Sequence, residues 1–190
     1  MVTFETTGLV NTEETLKIAI AYAKEHGYDI VAATSTGDTI FKLKEVADSM
    51  EFNNNIIAVR YVYGMKERGQ NVMSDETYNE LLEKGIKIVT AAHALSGAER
   101  GLSTKFQGVY PVEIVAGALR MLGQGTKVCV EIALMANDSG NITYGKPVVC
   151  IGGSSHGADT ACVITSLANI IIVSASNSIM FFVRIVNAVK

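Results

Sequence analysis

Between Asn11 and Gly27 the apolar residues Leu16, Ala19, Ile20 and Ala23 recur every three or four positions. That period predicts an amphipathic helix, with Asn11 as N-cap, Glu13 and Glu14 in the first turn and Gly27 as its stop. The pattern then changes. Asp29 to Ala33 is a short apolar run that reads as a strand, and Ile40, Leu43, Val46, Ala47 and Met50 restore the helical period. Asn55 to Val59 reads as a strand buried on both faces, of the parallel type. Ser74 caps a third helix running through Leu82 to Gly85, and Ile86 to Thr90 is a third strand.

A long loop bearing glycines and charges is expected from Ala91 to about Gly108. Pro111 then suits the first turn of a helix, where its missing N–H costs nothing, and Ile114, Val115, Ala118, Leu119 and Leu122 carry the apolar face to Gly123. From Lys127 to Asn137, Val128, Ile132 and Met135 fit helical spacing, Lys127 and Glu131 can pair one turn apart, and the segment is long for a strand, so a helix is expected. Pro147 to Ile151 is again a strand. Strands alternating with helices predict an α/β fold of three layers, αβα, around a mostly parallel sheet. In the tail, Leu167 to Val186 is apolar, but Asn169, Ser174, Ser176, Asn177, Ser178 and Arg184 interrupt it, which fits a C-terminal pair of strands joined by a turn better than a membrane span.

Composition narrows the classes. With 190 residues, 48% of them hydrophobic and 18% charged, a single domain over residues 1–190 with a substantial core is expected. A net charge of −3 without a Lys/Arg run argues against nucleic acid as a partner. Cys129, Cys150 and Cys162 lack CxxC spacing and sit in apolar stretches, so they read as reduced thiols of a cytoplasmic protein and not as metal ligands. No basic region followed by an apolar stretch opens the chain, so no signal peptide is expected. A small, very apolar α/β domain is also expected to form a homo-oligomer.

Two polar loops follow strands, and ligands of such sheets bind beyond the strands' carboxyl ends. Thr34-Ser35-Thr36-Gly37-Asp38-Thr39 leads from a strand into a helix, where free amides and hydroxyls can hold a phosphate. Gly152-Gly153-Ser154-Ser155-His156-Gly157-Ala158-Asp159-Thr160 is the second. His93 also follows a strand and precedes a small-residue loop containing Ser96 and Gly97.

These residues resemble a known family. The order helix, strand, T-S-T-G-D-T, helix, N-I-I-A-V and, much later, strand and G-G-S-S-H-G-A-D-T-A is similar to the C-terminal α/β domain of pyruvate kinase. The nearer resemblance is to a small stand-alone archaeal family of that fold, through His93 to Arg100, Lys105-Phe106, Pro111 to Val115, Lys127 to Glu131 and Gly157 to Thr160. It covers roughly residues 1–165. Arg60-Tyr61-Val62 stands where that family has Thr-His-His, and His156 where an Arg is expected.

The resemblance implies a phosphorylated small-molecule ligand, flavin mononucleotide (FMN) being the suspected cofactor. Thr34, Ser35, Thr36, Gly37 and Thr39 would donate to its phosphate, with Asp38 capping the helix. Gly153, Ser154, Ser155, Gly157 and Ala158 would close over it, Asp159 or Thr160 fixing the loop or accepting from the ring. Arg100 and Lys105 are the expected balancing charges, and His93 lines the pocket as a candidate catalytic group. Pyruvate kinase activity is not expected, because its barrel takes about 250 residues. Two roles fit: a binding module that senses FMN, a nucleotide or a sugar phosphate, or a small flavin-dependent oxidoreductase.

Overall fold

The computed structural model describes residues 3–154, 156–165 and, as backbone alone, 183–185. Its helices and strands alternate as the sequence pattern predicts. A 3-10 turn, Leu9–Asn11, leads into α1 (Thr12–His26), followed by β1 (Ile30–Ala33), α2 (Asp38–Ser49), β2 (Ile56–Arg60), α3 (Asp75–Glu83) and β3 (Lys87–Thr90). Three helices then come in succession, α4 (Gly97–Phe106), α5 (Pro111–Arg120) and α6 (Gln124–Asp138), before β4 (Pro147–Gly152), β5 (Thr160–Thr165) and β6 (Val183–Ile185).

The strands form one sheet in the order β3-β2-β1-β4-β5-β6. The first four are parallel, β1 aligning Ile30 with Ile56 on one side and with Val149 on the other. β5 runs antiparallel to β4, and β6 antiparallel to β5. Of the expected C-terminal strand pair, β6 lies in its second half; the remainder falls outside the described residues.

Alternation along β1 shows why the fold has three layers. Ile30 and Ala32 pack with Leu16, Ile20, Ile40 and Leu43 of α1 and α2, whereas Val31 packs with Cys129, Val130 and Ala133 of α6. Both faces are therefore dry, and the central strands carry no polar alternation. Leu16, Ile20 and Leu43 are fully buried, so truncating any one of them to Ala costs about 2–5 kcal/mol. α6 is buried nearly all round, Gly125 to Ala136, which is why its sequence shows no clean polar face.

Three local expectations change. Asn11 does not cap α1 with its side chain; its Nδ2 donates to the Thr6 carbonyl at 2.5 Å. The stretch from Ala91 to Gly108 is not all loop, since α4 occupies Gly97–Phe106. That helix buries no residue, so it lacks the apolar stripe by which a helix is recognised. α6 begins at Gln124, three residues earlier than expected, with Gly123 at its cap position. The Ser74 cap is formed, its Oγ accepting the Thr77 N–H at 3.2 Å. No helix among the described residues is long and apolar enough to cross a membrane.

Candidate functional site

Each helix that returns from a parallel strand starts at the sheet's carboxyl edge, so the first turns of α1, α2, α3 and α6 gather there. Because β1 leads to β2 on one side while β4 lies on the other, the chain direction switches between β1 and β4, the usual place for a ligand crevice.

The loop after β1 is closed on itself. Thr34 is buried and its Oγ1 accepts the Gly37 N–H at 3.0 Å, which uses one of the amides expected to hold a phosphate. Gly37 has a φ of 109°, and a Cβ there would lie 2.5 Å from Thr77 Cγ2 of α3. Asp38 is not the cap but the first residue of α2, and its Oδ2 accepts from Thr36 Oγ1 at 2.8 Å. A carboxylate in a first turn satisfies the helix dipole. It also repels an arriving phosphate. Ser35 and Thr39 are half-buried beside it.

The loop after β4 seals onto the start of α1. The Ala158 N–H donates to Thr12 Oγ1 at 3.0 Å, and a Cβ on Gly157 would lie 2.3 Å from that same oxygen. A Cβ on Gly153 would meet the Gly157 carbonyl at 2.4 Å. Asp159 fixes the loop, one of the two roles expected of it: Oδ2 accepts the Gly8 N–H at 2.8 Å and the Ser154 N–H at 3.2 Å, and Oδ1 accepts from Thr160 Oγ1 at 2.8 Å. These bonds tie the loop to residues 8 and 12. Ser155 lies outside the described residues.

His93 belongs to a third, buried constellation. Glu131 Oε2 lies 3.4 Å from His93 Nδ1 and 2.6 Å from Lys127 Nζ, and Oε1 accepts the Leu95 N–H at 3.0 Å. Burial raises the Glu131 pKa, but His93 and Lys127 outweigh it and bring the group down to about 2. The tilted ring of Tyr61 lies 5.6 Å from the His93 ring. Beside them Arg60, itself buried, donates through Nε to Thr90 Oγ1 at 2.7 Å and lies 4.2 Å over the Tyr78 ring. Ser96 and Gly97 only begin α4. Arg100 and Lys105 are exposed on that helix, Lys105 Nζ standing 5.1 Å over its neighbour Phe106.

The concavity lies elsewhere along the edge. A cavity of about 290 Å³ opens between the first turn of α6, the end of the β4–β5 loop and the segment before α1. Ser154, Asp159 and Thr160 line it, as do Thr3, Thr6, Thr7, Thr15, Gln124 and Thr126; Phe4, Ile18, Leu122 and Ala161 form its apolar part. Gly123 and Gly125 complete the wall, and a Cβ on Gly125 would come within 2.0 Å of Thr160 Oγ1. Thr15 is 3% exposed, and its Oγ1 has no hydrogen-bond partner among the described residues. Such an orphan is uncommon. His93, Arg100 and Lys105 do not line this cavity.

Most of this lining was missed from sequence. Visible signals were the glycines bracketing Gln124 at a helix start, and Thr15 as a hydroxyl one turn before Ala19 on the buried stripe. The wall supplied by Thr3 to Thr7 carried no pattern at all.

Fold and edge together define an α/β domain with its concavity at the carboxyl ends of the parallel strands. The family model for the pyruvate kinase alpha/beta domain matches residues 13–164. The chain belongs to that family, the match spanning every element from α1 to most of β5.

Proposed function

We propose that this domain binds a phosphorylated small molecule in the cavity at the start of α6, with FMN as the leading candidate. The single observation that supports it most is the make-up of that cavity: threonine, serine and glutamine residues and the first turn of α6 gathered with the apolar Phe4, Ile18 and Leu122. Small-molecule sites have this build, an apolar body with a few placed polar groups, and the volume stands near the lower end of their usual range of about 300–1,000 Å³. The residues suit a flavin phosphate. Phe4, Ile18 and Leu122 would pack against its ring, the threonines would bond its ribityl chain, and the amides of Gln124 and Gly125 would face the phosphate. When bound, FMN would supply reversible hydride or electron transfer.

A binding role without chemistry is the better supported of the two readings. His93, the expected catalytic group, stands outside the cavity, tied to Glu131. Pyruvate kinase chemistry is not part of the proposal, since the family match is to the alpha/beta domain alone. Self-association is proposed on Phe106, Val109, Ile114 and Met121, which leave apolar surface exposed along α4 and α5. A reducing, cytoplasmic setting is proposed on the three unpaired, buried cysteines.

Calorimetric titration of the purified chain with FMN tests the binding role. Saturable binding with one site per chain supports it; no heat and no thermal stabilisation at millimolar FMN or other monophosphates removes it.

A further inference from the structure

The cavity at the start of α6 has one formal charge among its described lining residues, and that charge is negative. Asp159 Oδ1 lies 3.1 Å from where a Cβ on Gly125 would sit, which sets the carboxylate against the first turn of α6. The positive end of a helix is equivalent to about half an elementary charge, so Asp159 already offsets it. No Lys, Arg or His among the described residues lines the cavity. Of the nearby cations, Lys127, buried, is held by Glu131, whereas Arg120 is exposed and donates through Nε to Gln124 Oε1 at 2.8 Å, which places its charge at the rim and not inside the cavity.

A single phosphate can still be held at the rim, facing Gln124 and solvent, while an uncharged body fills the interior. A second phosphate has no such place. Within the cavity it meets the Asp159 carboxylate, with no cation among the described lining residues to balance either group. We propose that this site selects ligands carrying one phosphate on a neutral ring or polyol and rejects bisphosphates, with Asp159 as the discriminating charge. The inference deepens the binding role proposed above and rests on it. It also separates this chain from a sensor of sugar bisphosphates.

Repulsion of the wrong ligand is a specificity device distinct from attraction of the right one. A matched series isolates it: riboflavin, FMN and riboflavin 4′,5′-bisphosphate, titrated by flavin fluorescence against the purified chain. FMN is expected to bind at least about tenfold more tightly than the bisphosphate, a gap of one decade in Kd. In Asp159→Asn that ratio is expected to shrink to less than about threefold, because the repelling charge is gone. Asp159 also fixes its loop, so Ser154→Lys provides a second variant: it keeps the backbone N–H that donates to Asp159 Oδ2 and sets a cation beside that carboxylate, which should narrow the ratio in the same direction. Equal affinity for FMN and the bisphosphate in the unmodified chain overturns the selectivity while leaving the binding role standing. An unchanged ratio in folded Asp159→Asn and in Ser154→Lys overturns the assignment to Asp159. If none of the three flavins binds, the binding role falls and this inference with it.

Discussion

Lys127 Nζ lies 2.6 Å from Glu131 Oε2, one turn apart on α6, and both side chains are almost wholly removed from water. The sequence spacing allowed this pair, but nothing in the pattern showed that it would be buried, or that His93 and the Leu95 amide would converge on the same carboxylate. Its worth depends on all three partners remaining in place.

Acid stability follows from the Glu131 carboxyl. Its folded pKa of about 2 is below the ordinary value of 4.5. As pH falls, the unfolded chain takes up this proton first, so the contribution is complete above about pH 4.5 and is lost as pH approaches 2. At neutral pH it amounts to about 3 kcal/mol. Urea unfolding midpoints measured from pH 5 to pH 2.5 should fall less steeply in Glu131→Gln than in the unmodified chain. Equal slopes would mean that the carboxylate is not held as described.

Removing one member of the pair should cost more than removing both. Lys127→Met leaves a buried carboxylate without its nearest cation and is expected to destabilise by about 3–5 kcal/mol. In Lys127→Met/Glu131→Leu the Leu95 N–H and the partly exposed His93 Nδ1 both lose Glu131 as partner, a penalty of about 1–3 kcal/mol that falls chiefly on the buried amide. Chemical denaturation of the two single variants and the double variant measures the difference, and simple additivity would contradict the coupling.

Gly37 tests the closed first loop. With a φ of 109° and a Cβ position 2.5 Å from Thr77 Cγ2, Gly37→Ala combines backbone strain with a clash. A loss of about 1–3 kcal/mol is expected from the backbone alone. Adding Thr77→Ser removes the methyl and should recover the clash component but not the strain. No recovery at all would place the loop differently.

The thiols should be silent in the folded protein. Cys129, Cys150 and Cys162 are each 0% exposed, and burial pushes Cys129 and Cys150 well above the ordinary thiol range. Cys162 moves the other way, lowered chiefly by a hydrogen bond involving Cys129. A colorimetric thiol reagent is expected to modify all three only at the rate of unfolding. Rapid labelling in native buffer would show that α6 and the β4–β5 pair are not packed as found.

How much could be read from the chain alone differs by element. α1, α2 and the central strands were legible because one physical cause, burial of a stripe or of both strand faces, leaves a periodic trace. α6 was legible by length and by the Lys127–Glu131 spacing, although burial on all sides blurs its period. α4 was not: with Gly97, Gly101, Ser103 and Thr104 and no buried residue, it carries neither strong propensity nor a stripe. Of the residues expected to bind a ligand, Ser154, Asp159 and Thr160 line the cavity at the start of α6. Thr34 and Asp38 have the composition of an anion cradle, yet their oxygens bond within their own loop. Composition cannot tell a hydroxyl that awaits a ligand from one that satisfies its neighbour. Nor can it bring Thr3 to Thr7 across to the start of α6, which only the tertiary fold does.

Where the ligand sits can be decided by a charge placed at either of two helix starts. Gln124→Glu keeps an acceptor for Arg120 and puts an anion in the first turn of α6, where folding tolerates it and a phosphate does not. Thr36→Glu does the same at the exposed edge of the first loop. The account predicts that FMN, titrated calorimetrically, binds Gln124→Glu at least about tenfold more weakly than the unmodified chain and binds Thr36→Glu nearly as well. Undiminished binding to Gln124→Glu together with loss in Thr36→Glu would contradict it, and would return the phosphate to the loop after β1.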